Sequence, residues 1–206
     1  MVNVAYNIDC MEYMKTVPDK AFELAIVDPP YGINVNMNMG LRKGQKKKRE
    51  QKNWDNSIPS AEYFKELFRV SQNQIIWGGG NYFGLPPTRC ILVWDKGESM
   101  YGRSFSEIEM AWTSFSDSAR IFKYSPNDSL RIHPTQKPVI LYEWQLTLPF
   151  VMREWKILDT HLGSGSSRIA AYNLGFDFVG CEIDGDYFKA QEERFKAHTA
   201  QTSLFI

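Results

Sequence analysis

The stretch WKILDTHLGSGSSRIAAYNLG, residues 155 to 175, sets an apolar run, a carboxylate at Asp159, glycines at 163 and 165 and a helical pattern in quick succession. Glycine lets the backbone approach a ligand closely, and the free amides at the start of a helix attract an anionic group. On its own a G-x-G is as well explained by a tight strand-to-helix turn. The next apolar run, FVGCEID, delivers Glu182 about 20 residues after the glycines, where an acidic side chain commonly accepts both hydroxyls of a ribose. The pair reads as a nucleotide-binding turn.

The kind of nucleotide is narrowed by what the turn lacks. A dinucleotide fingerprint wants a third glycine at 168, which is Arg168, and a phosphate-cradling loop wants Gly-Lys-Ser/Thr, which is missing too. S-adenosylmethionine, with a ribose, an adenine and an amino-acid carboxylate but no phosphate, suits the turn.

Outward from this segment, apolar runs alternate with helical patterns, which predicts a three-layer α/β fold with a largely parallel sheet. Strands are expected at Asn3 to Asn7, Leu24 to Val27, Gln74 to Trp77, Ile91 to Trp94, Ile108 to Thr113, Lys156 to Leu158 and Phe178 to Glu182. Helices are expected at Ser60 to Ser71, Pro138 to Leu148, Ser166 to Leu174 and Asp186 to His198. Ser60 caps the first, Pro149 ends the second and Gly175 stops the third. No helix separates Ile91 to Trp94 from Ile108 to Thr113, so an antiparallel pair is expected at one sheet edge.

The 206 residues, 43% of them hydrophobic, support one substantial core and one domain with loop insertions. No apolar run approaches the roughly 20 residues of a membrane helix, and the N-terminus lacks the blocks of a signal peptide. Cys10, Cys90 and Cys181 are odd in number and widely spaced, and His133, His161 and His198 are equally scattered. Neither a disulfide framework nor a metal site is indicated, and a reducing cytoplasm is expected. The 24 basic and 24 acidic residues cancel, yet Leu41 to Lys52 holds Arg42, Lys43, Lys46, Lys47, Lys48, Arg49 and Lys52 against one acid. Such a run is usually a solvated face, but here it lies in a long aperiodic loop, residues 34–59, which reads as functional or mobile.

That loop follows ELAIVDPPYG, residues 23 to 32, a strand ended by Asp28, two prolines and Tyr31. Proline lacks the amide donor and fixes φ, so Pro29 and Pro30 stop the sheet ladder and stiffen the corner. Ligands of a doubly wound sheet sit outside the carboxyl ends of its strands, which puts Asp28 and Tyr31 on the same rim as Asp159 and Gly163.

Together these pieces resemble the DNA amino-methyltransferases. Asp28-Pro29-Pro30-Tyr31 resembles the family's catalytic tetrapeptide, Asp159 to Ser166 its cofactor loop, and His133-Pro-Thr-Gln-Lys-Pro138 the segment before that loop. Catalytic motif before cofactor motif is the order of the β class, a circular permutation that makes Asn3 to Asn7 the displaced third strand of the cofactor half. The resemblance implies a Rossmann-like methyltransferase fold of a small solitary or phage-like type, in a bacterial cell or a phage-infected host. It divides the domain into a catalytic half, 1–132, a cofactor half, 133–199, the basic loop, 34–59, and a tail, 200–206. It also implies cofactor contacts from Asp9, near the adenine, and from Asp28, Asp159, Thr160, Leu162, Gly163, Gly165, Ser166 and Glu182. The family more often has Asp-Pro-Phe where this chain has Asp159-Thr160-His161, so whether His161 packs on the cofactor stays open.

An exocyclic amine of a base is a poor nucleophile because its lone pair is delocalised into the ring. Two acceptors at its protons, the carboxylate of Asp28 and the carbonyl of Pro29, localise that pair, while Tyr31 offers a ring face to a base drawn from the duplex. Asp at the head of the tetrapeptide favours adenine in double-stranded DNA, since cytosine enzymes of the family more often carry Ser. Cytosine-N4 methylation and a catalytically silent DNA-binding partner subunit are the alternatives. Lys137 is offered to the cofactor's carboxylate, although Thr135 with Lys137-Pro138 equally reads as a helix start. Trp77-Gly-Gly-Gly-Asn-Tyr82 reads as a lining of the base pocket or a plain turn. Trp94-Asp95-Lys96 and Glu107 to Trp112 resemble further family segments. The resemblance also makes a homodimer an expectation, and Gln201, Leu204 and Phe205 resemble a sliding-clamp peptide or a tucked tail.

Overall fold

The computed structural model describes residues 2–35, 51–82, 84–103, 106–126 and 131–202. Eight strands form one sheet: β1 (Asn3–Asn7), β2 (Phe22–Val27), β3 (Ser71–Trp77), β4 (Ile91–Asp95), β5 (Ile108–Thr113), β6 (Arg120–Lys123), β7 (Lys156–Asp159) and β8 (Asp177–Glu182). Among the described residues five α-helices accompany them: α1 (Cys10–Lys15), α2 (Ala61–Val70), α3 (Val139–Leu146), α4 (Ser166–Leu174) and α5 (Gly185–Thr202). No helix among the described residues is long and apolar enough to cross a membrane.

The sheet order is β1-β8-β7-β2-β3-β5-β4-β6. Every described pairing is parallel except the two made by β5, which runs against β3 and β4. The N-terminal strand lies parallel to β8, with Asn3 opposite Phe178 and Asn7 opposite Glu182, as the permuted order requires. The expected antiparallel pair exists but is not the edge, because β6 adds in parallel to β4 beyond it. At four residues, with Ile121 exposed, β6 has too little pattern to show in the sequence.

Side chains alternate across the central strands and so build two cores. Leu24, Ile26, Ile75 and Trp77 pack with Leu141, Tyr142 and Ala170 of α3 and α4, while Ala25, Val27 and Ile76 pack with Met14, Phe64 and Leu67 of α1 and α2. Trp77 is fully buried, and truncating it to alanine is worth about 3–5 kcal/mol. Local signals set the helix ends. Ser60 accepts from the amide of Tyr63 to start α2, and Gly175 takes the left-handed conformation that ends α4. Helix α3 stops at Leu146 with Thr147 as its cap, three residues before Pro149. The unexpected α1 is started by Asp9, whose carboxylate accepts from Met11.

This topology gathers one rim. The carboxyl ends of β1, β2, β3, β4, β7 and β8 meet there, and because β5 is antiparallel it brings its amino end, Ile108 and Glu109, to the same rim.

Candidate active site

Asp28 leaves β2 at the centre of the rim. Its Oδ1 accepts from the Tyr31 hydroxyl at 2.7 Å, and its Oδ2 pairs with the Lys137 ammonium at 2.6 Å. Burial pushes the Asp28 carboxyl above its ordinary range, against the pull of Lys137. The corner is held from behind by Asp55, which accepts from the amides of Tyr31 (2.8 Å) and Gly32 (3.0 Å) through Oδ1 and from Val35 (3.0 Å) through Oδ2. The Pro29 carbonyl accepts from the Tyr82 hydroxyl at 2.8 Å, which fixes its direction and, among the described residues, leaves a second lone pair free. Gly78 has φ +74°, and a Cβ there would stand 2.2 Å from a Tyr31 ring carbon, so only glycine lets the ring settle.

A cavity of about 550 Å³ opens from this corner, within the range of small-molecule sites. Asp28, Pro29, Tyr31, Asn81, Lys96 and Glu109 contribute to its wall. Tyr82 is buried behind Tyr31 rather than in the lining, its ring edge-on at 6.4 Å.

A second, narrower cleft lies between Asp28, Lys137, His161, Leu162, Gly163 and Glu182. Glu182 accepts from the amides of Gly163 (2.7 Å) and Asp184 (2.9 Å), and burial raises its carboxyl. Among the described residues this lining sets the acidic Asp28 and Glu182 beside a glycine turn with Lys137 as its one lysine, which fits a cationic, phosphate-free nucleoside. Several expected contacts stand behind this surface. Asp159 is buried, its carboxylate accepting from Ser167 and from the His161 amide, and burial lifts its pKa to about 7. The Thr160 hydroxyl is bonded to Tyr63 at 2.7 Å, and that of Ser166 to Arg194 at 2.9 Å. Thr160 and Ser166 therefore shape the turn instead of presenting their hydroxyls to the cleft, and Gly165 supplies the left-handed residue before α4. Asp9 is exposed at the rim beside α1. His161 does line the cleft, set edge-on against Tyr63 at 5.3 Å, and burial lowers its pKa to about 4.

Lys137 departs from expectation. Its three donors meet Asp28, the Tyr31 oxygen (3.0 Å) and Glu109 (3.0 Å), which leaves none for a cofactor carboxylate. Lys52, expected on DNA phosphates, pairs instead with Asp184 (2.6 Å) and Asp186 (2.7 Å). Next to it Trp54 lies tilted against His133 at 5.2 Å and lines both cavities, so residues 52–55 form a strap across them. Arg42, Lys43, Lys46, Lys47, Lys48, Arg49, Leu204 and Phe205 lie outside the described residues, while Gln201 is exposed in the last turn of α5. Sequence reasoning missed Asp55 and Glu109. The only signal for Glu109 was its place in the Glu107 to Trp112 segment.

Residues 76–193 match the N6/N4 family described as DNA methylase. A putative methylase of Escherichia coli (strain K12), YubD, is 24% identical over 92% of this chain and 88% of its own. The crystal structure of an M1.HpyAVI-SAM complex superposes with a TM-score of 0.59 at 20% identity, covering 94% of this chain and all of that one. PvuII DNA methyltransferase, described as cytosine-N4-specific, gives 0.59 at 12% identity, covering 96% and 91%. Likeness at these identities establishes a shared fold.

Proposed function

The chain belongs to the N6/N4 family of DNA methylases, and from that premise we propose that it methylates the N6 amino group of an adenine flipped out of double-stranded DNA, with S-adenosylmethionine as donor. The observation that carries this reading is the fixed pair of acceptors at the head of the large cavity. Asp28 and the Pro29 carbonyl are clamped by Tyr31, Lys137, Asp55 and Tyr82, so both face an incoming amine without reorganising. When bound, the cofactor supplies an electrophilic methyl group on sulfur. Glu182 is placed to accept ribose hydroxyls, and the Gly163 turn lets the backbone lie against the nucleoside. The cationic sulfur is favoured by Asp28 at the junction of the two cavities.

Asp28 at the head of the tetrapeptide supports adenine. The fold shared with a cytosine-N4-specific enzyme supports N4 of cytosine as the second reading. Contact with DNA draws on the basic run from Arg42 to Arg49. Neutralising Lys46, Lys47, Lys48 and Arg49 flattens the salt dependence of DNA binding, and an unchanged slope would remove them from the interface.

Transfer of tritium from methyl-labelled cofactor to mixed-sequence DNA tests the proposal. Wild type is expected to label DNA, and Asp28→Ala to lose labelling while still binding cofactor. A folded, cofactor-loaded wild type that labels no DNA would point to a silent partner subunit.

A further inference from the structure

The wall of the large cavity carries four charges of alternating sign in one chain of contacts. Lys96 lies 2.8 Å from Glu109, Glu109 3.0 Å from Lys137, and Lys137 2.6 Å from Asp28. The four come from different elements: Lys96 follows β4, Glu109 is on the antiparallel β5, Lys137 precedes α3 and Asp28 follows β2. Lys137 is 3% exposed, and its side chain passes over the rings of Tyr31 and Trp77. A charge buried this deeply is costly unless it is paired, so the ammonium is held between its two carboxylates.

The two carboxylates are not equivalent. Glu109 has two cations and Asp28 has one. Burial works to raise Glu109, but Lys137 and Lys96 together bring it down to about 2, whereas Asp28, partly buried and sharing a single lysine, stays above its ordinary range. Glu109 is thus the permanent anchor and Asp28 the member whose charge is in play. Among the described residues, Tyr31, Tyr82 and Tyr142, each held in its neutral form by burial, and Asp159 also face Asp28, and Asp55, Lys96, His133, His161 and Glu182 line the same two cavities.

A protonated Asp28 would turn one of its acceptors into a donor and oppose the amine it is meant to receive. Resting on the methyl-transfer reading above, we propose that Lys137 and Glu109 are positioning residues that act through Asp28: the ammonium keeps the carboxylate charged and aimed at the amine, and Glu109 fixes the ammonium from the far side. This differs from a lysine reserved for the cofactor's carboxylate.

The test titrates Asp28 directly by carbon-13 NMR of labelled aspartate side chains, its signal identified by loss in Asp28→Asn, and follows the pH profile of kcat in parallel. Lys137→Met should raise the Asp28 midpoint by roughly one to three pH units and move the acid limb of kcat up with it. Glu109→Gln should move both downward, because a like charge is removed and the lysine is left wholly to Asp28. Lys137→Arg should restore part of the wild-type midpoint. An Asp28 midpoint unmoved in folded Lys137→Met, or displaced in the same direction by both substitutions, overturns the proposal. So does an unmoved midpoint with a large rise in cofactor KM, which would return Lys137 to the cofactor. Should Lys137→Met fail to fold, Glu109→Gln and Lys137→Arg still decide. Opposed midpoint shifts in a protein that methylates no DNA would support the pairing and refute methyl transfer, so the two failures are distinguishable.

Discussion

Asp55 is 3% exposed, and its carboxylate is the acceptor for the amides of Tyr31 and Gly32 at the Asp28-Pro29 corner and of Val35 just beyond it. Hydrogen bonds to a charged group are worth about 1.5–3 kcal/mol each, and water can replace part of this at Tyr31 and Gly32, where the corner is only partly buried. Asp55→Ala is therefore expected to cost about 3–5 kcal/mol. Asp55→Asn keeps an oxygen for Tyr31 and Gly32 but sets its NH2 against the Val35 amide, for about 1–2 kcal/mol. Because Asp28 and Pro29 ride on this corner, a displacement on the order of 1 Å lowers methyl transfer by roughly 10²-fold in the alanine variant. Cofactor affinity should change little, since Glu182 and the Gly163 turn are untouched. Urea unfolding and single-turnover transfer, measured on both variants, check the ordering. An Asp55→Ala protein with wild-type unfolding midpoint and wild-type rate would refute the idea that Asp55 holds the corner.

Three further outcomes follow from the same geometry. Gly78→Ala forces a side chain into the left-handed region and into the Tyr31 ring, so a loss of about 2–3 kcal/mol and of most activity is expected in thermal unfolding and transfer assays. His161, held down to about 4 by burial, stays neutral in the fold while the unfolded chain takes up its proton near 6.5. Its contribution is thus present above pH 6.5 and lost as pH falls toward 4. Wild type should lose about 2 kcal/mol between pH 7.5 and 5 that His161→Phe does not, and parallel urea curves for the two proteins would contradict this. The cleft beneath Trp54 is about 60 Å³, small beside the several hundred of an ordinary small-molecule site, so lifting of the strap is the expected route of cofactor entry. Lys52→Ala, which frees the strap from Asp184 and Asp186, should speed cofactor association and release in stopped-flow fluorescence. Unchanged rates would mean the strap does not control entry.

Strands that end in a carboxylate were legible because the signal is local: Asp28, Asp159 and Glu182 each follow an apolar run and each reaches the rim. The apolar runs of β2 and β3, buried on both faces of the sheet, and the glycine stop of α4 were equally plain. Two short elements were not. Six-residue α1 and four-residue β6 are stabilised by neighbours distant in sequence, such as Arg69, which donates to the carbonyls of Met14 and Val17. At Thr160 and Ser166 adjacency to the glycine turn did not reveal where the hydroxyls point, which is toward Tyr63 and Arg194. Glu109 depends on the register of an antiparallel strand, in which it faces Trp94, and no local pattern specifies that pairing. Asp55 depends on a loop returning to its own starting corner.

Mass spectrometry of nucleosides from DNA treated with wild type and with Asp28→Ala, each supplied with S-adenosylmethionine, tests the central claim most directly. N6-methyladenine as the sole new nucleoside, present with wild type and missing with a folded, cofactor-binding Asp28→Ala, is the expected result. N4-methylcytosine in its place, or N6-methyladenine persisting in the Asp28→Ala sample, would contradict it.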